Sequence, residues 1–115
     1  MGVEVRAVAK YIHMSPRKVR LVVDLVRGRD VDEALTMLRF TPKAAARVVA
    51  KAIASAAANA DEVYGVSSGE LYVSAIAADA GPTLRRGRAA ARGRYKPILK
   101  RSSHITVVLA EKAEA

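Results

Sequence analysis

At 115 residues the chain has room for one small domain, and a 51% share of hydrophobic residues argues against wholesale disorder. One Phe, four Tyr and no Trp leave Val, Leu, Ile and Ala to build the core, and the absence of cysteine excludes disulfides and thiolate metal sites. The net charge of +9 is unevenly spread: residues 1–29 hold seven Lys/Arg against two acids, residues 30–79 four against seven, and residues 80–104 eight against none.

Residues 3–12 alternate loosely, with Val3, Val5, Ala7, Ala9 and Tyr11 on one face, which predicts a strand. Ser15-Pro16 then opens a helix, Ser as N-cap and Pro at the first helical position, with Val19, Val22, Val23 and Val26 as its apolar face and Gly28 as its stop. Asp30 and Glu33 have capping-box spacing for a second, short helix carrying Ala34, Leu35 and Leu38. Thr41-Pro42 repeats the cap signal for a third helix that runs to about Tyr64-Gly65. Its small residues Ala45, Ala46, Val49, Ala52, Ile53, Ala56 and Ala60 fall at helical spacing, so it can lie close against a sheet or another helix.

After a loop at 65–69, Leu71, Val73, Ala75 and Ala77 alternate as a second strand, and Ile105, Val107 and Leu109 as another. Residues 81–103 have strand-like reach and almost nothing apolar to bury. They read as a two-stranded arm turning near residues 91–93, with limbs reaching about 30 Å at ~3.3 Å per residue. Such a ribbon is not stable in water alone and needs a surface to lie against. It is therefore expected to be mobile in the free chain and rigid only when docked. The 110–115 tail is expected to fray. The fold class that follows is α+β: three helices packed on a small three-stranded antiparallel sheet, one domain over 1–115, with a long protruding β-hairpin at about 81–103.

The arm carries Arg85, Arg86, Arg88, Arg92, Arg94, Lys96, Lys100 and Arg101, interleaved with Gly and Ala that keep it slim. Arginine's planar fork matches phosphate geometry and stacks on bases. Eight like charges without a counter-charge call for an anionic partner, which makes the stretch 82–101 the main RNA-contacting element. Arg17 and Lys18 stand in the first turn of the first helix, where the macrodipole favours anions. A phosphate at that helix end would reverse the penalty. Arg47 and Lys51, four apart on the third helix, form either a lesser basic patch or a merely solvated face.

Catalysis finds no footing. His13 and His104 lack metal-ligand spacing to other ligands, and no Gly-rich phosphate loop, HExxH motif or isolated acid pair is present. The chain is expected to be no enzyme and to need no cofactor.

In order along the chain, Ser15-Pro16-Arg17-Lys18, Phe40-Thr41-Pro42-Lys43, Ala58-Asn59-Ala60, Gly81-Pro82-Thr83-Leu84-Arg85-Arg86, Arg92-Gly93-Arg94 and Lys100-Arg101-Ser102-Ser103-His104-Ile105-Thr106-Val107 resemble the bacterial-type large ribosomal subunit protein twenty-two family. The resemblance runs from about Val5 to Leu109. It implies a three-helix, three-stranded body at the surface of the large subunit near the tunnel exit, in cytoplasmic ribosomes. It also implies a hairpin that reaches between ribosomal RNA segments to line the nascent-peptide tunnel, near the site of macrolide antibiotics. Implied partners are large-subunit ribosomal RNA, neighbouring large-subunit ribosomal proteins and the nascent peptide passing the tip, and the family assists early subunit assembly. The sequence departs from the family at the tip, where Gly87 replaces a commonly larger residue and Ala89-Ala90 replaces Pro-Arg, making the tip slimmer and one charge poorer. His13 stands where Arg is frequent, which offers it as an RNA neighbour.

The rival reading is a helix-turn-helix DNA-binding regulator built on the second and third helices. Its recognition helix would offer only Lys43, Arg47 and Lys51 among alanines, with little to read base edges, so no DNA partner is expected. A membrane-surface role fails because the arm has no Trp, Phe or Leu face, and no apolar run nears the roughly 20 residues that cross a bilayer.

Overall fold

The computed structural model describes residues 2–89 and 95–112. In chain order these form β1 (Glu4–Ile12), α1 (Pro16–Val26), α2 (Val31–Arg39), α3 (Ala44–Tyr64), a 3-10 turn (Ser68–Glu70), β2 (Leu71–Ala80), β3 (Leu84–Ala89), β4 (Tyr95–Lys100) and β5 (Ser103–Glu111). Strands β1, β5 and β2 pair antiparallel in that spatial order, and β3 and β4 form a separate two-stranded ribbon. The expected α+β architecture is present, three helices on a three-stranded sheet with a hairpin beyond it. The turn expected at 91–93 lies outside the described residues. A radius of gyration of 17.4 Å exceeds the ~13 Å of a compact chain this long, as a ribbon standing off the body requires.

Helix α3 lies against β1 and β5, α1 against β2, and α2 against α3. The core between them is made almost wholly of β-branched residues, Leu and Ala. Val19, Val22, Val23 and Val26 of α1 are fully buried against Leu71, Val73, Ile105, Val107 and Leu109 of the sheet. All seven of the small α3 residues picked out by helical spacing are buried. With Cβ methyls rather than long side chains at the contact, α3 can approach the sheet closely.

The strands depart from simple alternation at two irregularities. Between Val73 and Ala75 the register of β2 against β5 shifts, so Ile76 and Ala78 face the core in place of the expected Ala75 and Ala77. A second shift between Ala9 and Ile12, with Tyr11 at φ +57°, turns the Tyr11 ring out to solvent and brings Ile12 back toward the core. The 110–115 tail is also more ordered than expected. Ala110 pairs with Glu4, Glu111 with Leu71, and the Lys112 N–H donates to the Glu70 carbonyl. Residues 113–115 lie outside the described chain.

Capping differs from the sequence signals as well. Ser15 and Asp30 occupy N-cap positions, yet neither side chain makes a cap hydrogen bond. Glu33 pairs with Arg29 at 2.8 Å and Asp30 with Lys112 at 3.1 Å, so both halves of the expected capping box are engaged elsewhere. Thr41 does not cap α3, whose N-cap is Lys43. Its hydroxyl donates to the Met37 carbonyl and closes α2 instead. At the far end of α3, Gly65 at φ +68° lets the Val66 N–H turn back to the Ala60 carbonyl.

Close approach of α3 sets a strict size limit at Ala56, which is fully buried. Ala56→Leu is expected to cost about 1–3 kcal/mol through overpacking. Thermal unfolding followed by circular dichroism should show a melting temperature lowered by several degrees.

Candidate nucleic-acid interface

The arm continues the β2–β5 ladder beyond its last pair, Ala80 with Ser103. The Gly81 N–H donates to the Ser102 carbonyl at 3.0 Å, and the Ser102 hydroxyl donates to the Pro82 carbonyl at 2.7 Å. A Cβ on Gly81 would stand 2.5 Å from the Ser102 Oγ and 3.1 Å from His104, so a larger residue where the two limbs leave the body would displace the Ser102 hydroxyl from its place. Ser103, fully buried, donates its hydroxyl to the Met14 carbonyl at 2.6 Å. His104 accepts the Tyr11 N–H on Nδ1 at 3.0 Å, and the two rings meet edge to face at 5.0 Å. The loop between β1 and α1 is thereby fastened to the root of the arm.

This fastening brings the start of α1 beside the arm. One cleft is lined by His13, Met14, Ser15, Lys18, Lys100 and Arg101. A second, on the other side of Arg101, is lined by Ser15, Pro16, Arg17, Arg20, Ala80 and Arg101. Neither lining contains an acid, and Arg17, Lys18, Lys100 and Arg101 are all exposed. Basic groups some eighty positions apart in the chain thus share one surface at a helix N-terminus, where the macrodipole adds its own positive potential. Backbone donors are fewer than the sequence suggests. Pro16 has no N–H, and the Lys18 N–H already donates to the Ser15 carbonyl at 3.1 Å, whereas the Arg17 N–H has no acceptor among the described residues.

Of the predicted contact residues, Arg17, Lys18, Lys100 and Arg101 converge in this way. Arg85, Arg86 and Arg88 lie along β3 and Lys96 on β4, out along the ribbon, whereas Arg92 and Arg94 lie outside the described residues. Arg47 and Lys51 are exposed on α3 and line neither cleft. His13 is exposed within the first cleft, not buried in the core.

Sequence reasoning missed Arg20. It lines the second cleft while its Nε donates to the Ala78 carbonyl at 2.9 Å. Its place one helical turn after Arg17 was the available signal. Arg27 does likewise, its Nη2 donating to the Ile76 carbonyl. Both side chains satisfy carbonyls of β2, an edge strand of the sheet.

The family model described as ribosomal protein L22p/L17e matches residues 7–110. The chain is similar to the large ribosomal subunit protein uL22 of Thermoanaerobacter sp. (strain X514), with 54% identity over 109 residues, 95% of this chain and 98% of that protein. It is 51% identical over 110 residues to the protein of the same name from Clostridium novyi (strain NT), which spans 96% of this chain and 99% of the relative. A third, from Syntrophobacter fumaroxidans (strain DSM 10017 / MPOB), is 52% identical over 109 residues, 95% of this chain and 99% of the relative.

The root of the arm can be tested at Ser103. Ser103→Ala removes the donor to the half-buried Met14 carbonyl and should destabilise the body by about 1 kcal/mol. Amide exchange should show faster opening at Met14 and along the first residues of α1, with α2 unaffected.

Proposed function

The chain belongs to the ribosomal protein L22p/L17e family, a structural and non-enzymatic family, and from that premise we propose that it acts as a single RNA-binding domain over residues 1–115. It is a structural constituent of the large ribosomal subunit. In this reading it binds ribosomal RNA at two linked places. Arg17, Lys18, Lys100 and Arg101 hold the backbone where the arm leaves the body. Arg85, Arg86, Arg88, Arg92, Arg94 and Lys96 follow it along the arm. The arm inserts between RNA segments, its tip lines the nascent-peptide tunnel, and the body contacts neighbouring ribosomal proteins. Binding several RNA segments at once would favour their assembly.

The observation that carries this reading is the acid-free junction of two basic clefts around Arg101 at the start of α1. Charges of one sign gathered on a surface are disfavoured unless an anion joins them, and a helix N-terminus adds to the preference. A two-stranded ribbon needs a surface to lie on, and RNA segments on either side supply one. Gly87 pairs with Pro97 across the ribbon, which keeps that level narrow and leaves it short of one backbone donor.

The reading is checked by sedimentation of the tagged chain from lysate through a sucrose gradient. Co-migration with large subunits that survives a high-salt wash is expected. Release by salt, or a position at the top of the gradient, would leave only a free nucleic-acid binder.

The helix-end contact has its own test, with Arg17→Glu and Lys18→Glu combined. The double variant should bind a large-subunit RNA fragment at least tenfold more weakly in a filter assay. Removing two phosphate contacts should also reduce the slope of log affinity against log salt by about 2. An unchanged affinity would remove this contact from the interface, and competition by duplex DNA as effective as by the RNA would favour a DNA partner instead.

A further inference from the structure

The molecule is polar in charge, and only one pole is explained by RNA. The ends of β2 and β5 that lead into the arm mark the basic pole, together with the start of α1. The opposite end of the sheet, ten β2 residues or about 30 Å away, holds the 3-10 turn, the start of α2 and the end of α3. There Asp32, Glu70, Asp61 and Glu62 are exposed, and none of them has a cation within ion-pair reach among the described residues. The neighbouring acids differ, since Glu33 is paired with Arg29 and Asp30 with Lys112. The whole last turn of α3 is exposed, and its Val63 (69%) and Tyr64 (56%) are among the most exposed large apolar side chains of the body.

Three physical points bear on this pole. The screening length in cellular salt is about 8 Å, so acids some 30 Å away cannot serve as counter-charge for the arm. Helix α3 has no basic residue in its last turn, and Asp61 and Glu62 stand there against the negative end of the helix dipole. Such an arrangement is locally unfavourable and is relieved by an external cation. Phosphate backbone would be repelled from the same surface, whereas exposed Val63 and Tyr64 favour a partner with apolar stems or rings.

We propose that this pole docks a lysine- and arginine-rich segment of another polypeptide, with Asp61, Glu62, Asp32 and Glu70 taking its cationic groups and Val63 and Tyr64 packing on its aliphatic stems. Lys and Arg carry both features in one side chain. The surface thus joins the chain to a basic protein neighbour on the side turned away from RNA. The inference goes beyond the RNA-binding reading and rests only on membership of the large subunit.

The test places a photoreactive benzophenone amino acid at Tyr64 in the tagged full-length chain, purifies assembled large subunits and irradiates them. Presence of the tagged chain in the large-subunit peak is established before irradiation, so a failure of subunit membership is seen separately. The expected product is a crosslink whose partner peptide, mapped by mass spectrometry, is Lys/Arg-rich. Its yield should fall at least fivefold with Asp61→Lys and Glu62→Lys, and in the same direction with the milder Asp61→Asn and Glu62→Gln should charge reversal impede incorporation. Crosslinks only to RNA, crosslinks to a segment without basic residues, no crosslink, or a yield indifferent to these substitutions would each overturn the proposal.

Discussion

A slender two-stranded ribbon whose charges are all of one sign is marginal by itself, and the rest of the structure follows from how it is rooted. The two limbs are the outgrowth of β2 and β5, already neighbours in the sheet, so the ladder that builds the body also sets the direction of the arm. The root is narrow, since a Cβ at Gly81 would displace the Ser102 hydroxyl and press on the His104 ring. It must also be tied to something outside the ladder, or twist would accumulate freely along it. The Ser103 hydroxyl on the Met14 carbonyl and the Tyr11 N–H on His104 supply that tie. The same bonds fix the entry of α1. One set of contacts therefore orients the arm and positions the basic helix end beside it.

The body meets a different constraint. With so few aromatic residues, no single side chain fills much volume, and stability has to come from close approach over a long interface. The alanine face of α3 makes that approach possible along the whole helix, and the valines of α1 cover the remaining half of the sheet. The opposite sheet face keeps Arg6, Val8, Lys10, Ala75 and Ala77 exposed. A domain of this size buries a modest fraction of its surface, so an assembly partner adds stability that the isolated chain lacks.

Much of this was legible in the sequence, for identifiable reasons. Helical periodicity named the buried faces of α1 and α3 because each is a clean stripe of Val or Ala against sheet. The arm announced itself by composition, because a stretch with eight Lys/Arg, no acid and few large apolar groups cannot be core. Bulges were not legible. The phase change after Val73 and the reversal at Tyr11 depend on pairing with β5, a strand distant in sequence from both, and alternation read along β1 or β2 alone cannot tell that one of its own residues is left without a partner. Capping was misread for a related reason. Thr41, Asp30 and Glu33 have the right spacing for caps, but Met37, Lys112 and Arg29 are better placed to take their polar atoms. Local rules propose partners, and tertiary contacts choose among them. The convergence of Arg17 and Lys18 with Lys100 and Arg101 was beyond any local pattern, although each half was visible alone.

Violations of local electrostatics carry the most information about what the chain meets. At the start of α1, cations oppose the helix dipole, and an anion between that end and the arm would relieve the conflict. At the end of α3, carboxylates oppose the dipole with the opposite sign, and an anion would only deepen the cost. The two ends lie too far apart along the sheet to neutralise each other through salt. A molecule charged against its helices at both poles is therefore suited to stand between two kinds of neighbour. Polyanionic RNA fits one pole, and a polycationic chain fits the other. Ribosomal proteins that bind RNA are themselves rich in Lys and Arg and would repel one another on contact. An acidic face on one member, set away from its own RNA-facing side, is a direct physical means of letting two such proteins touch.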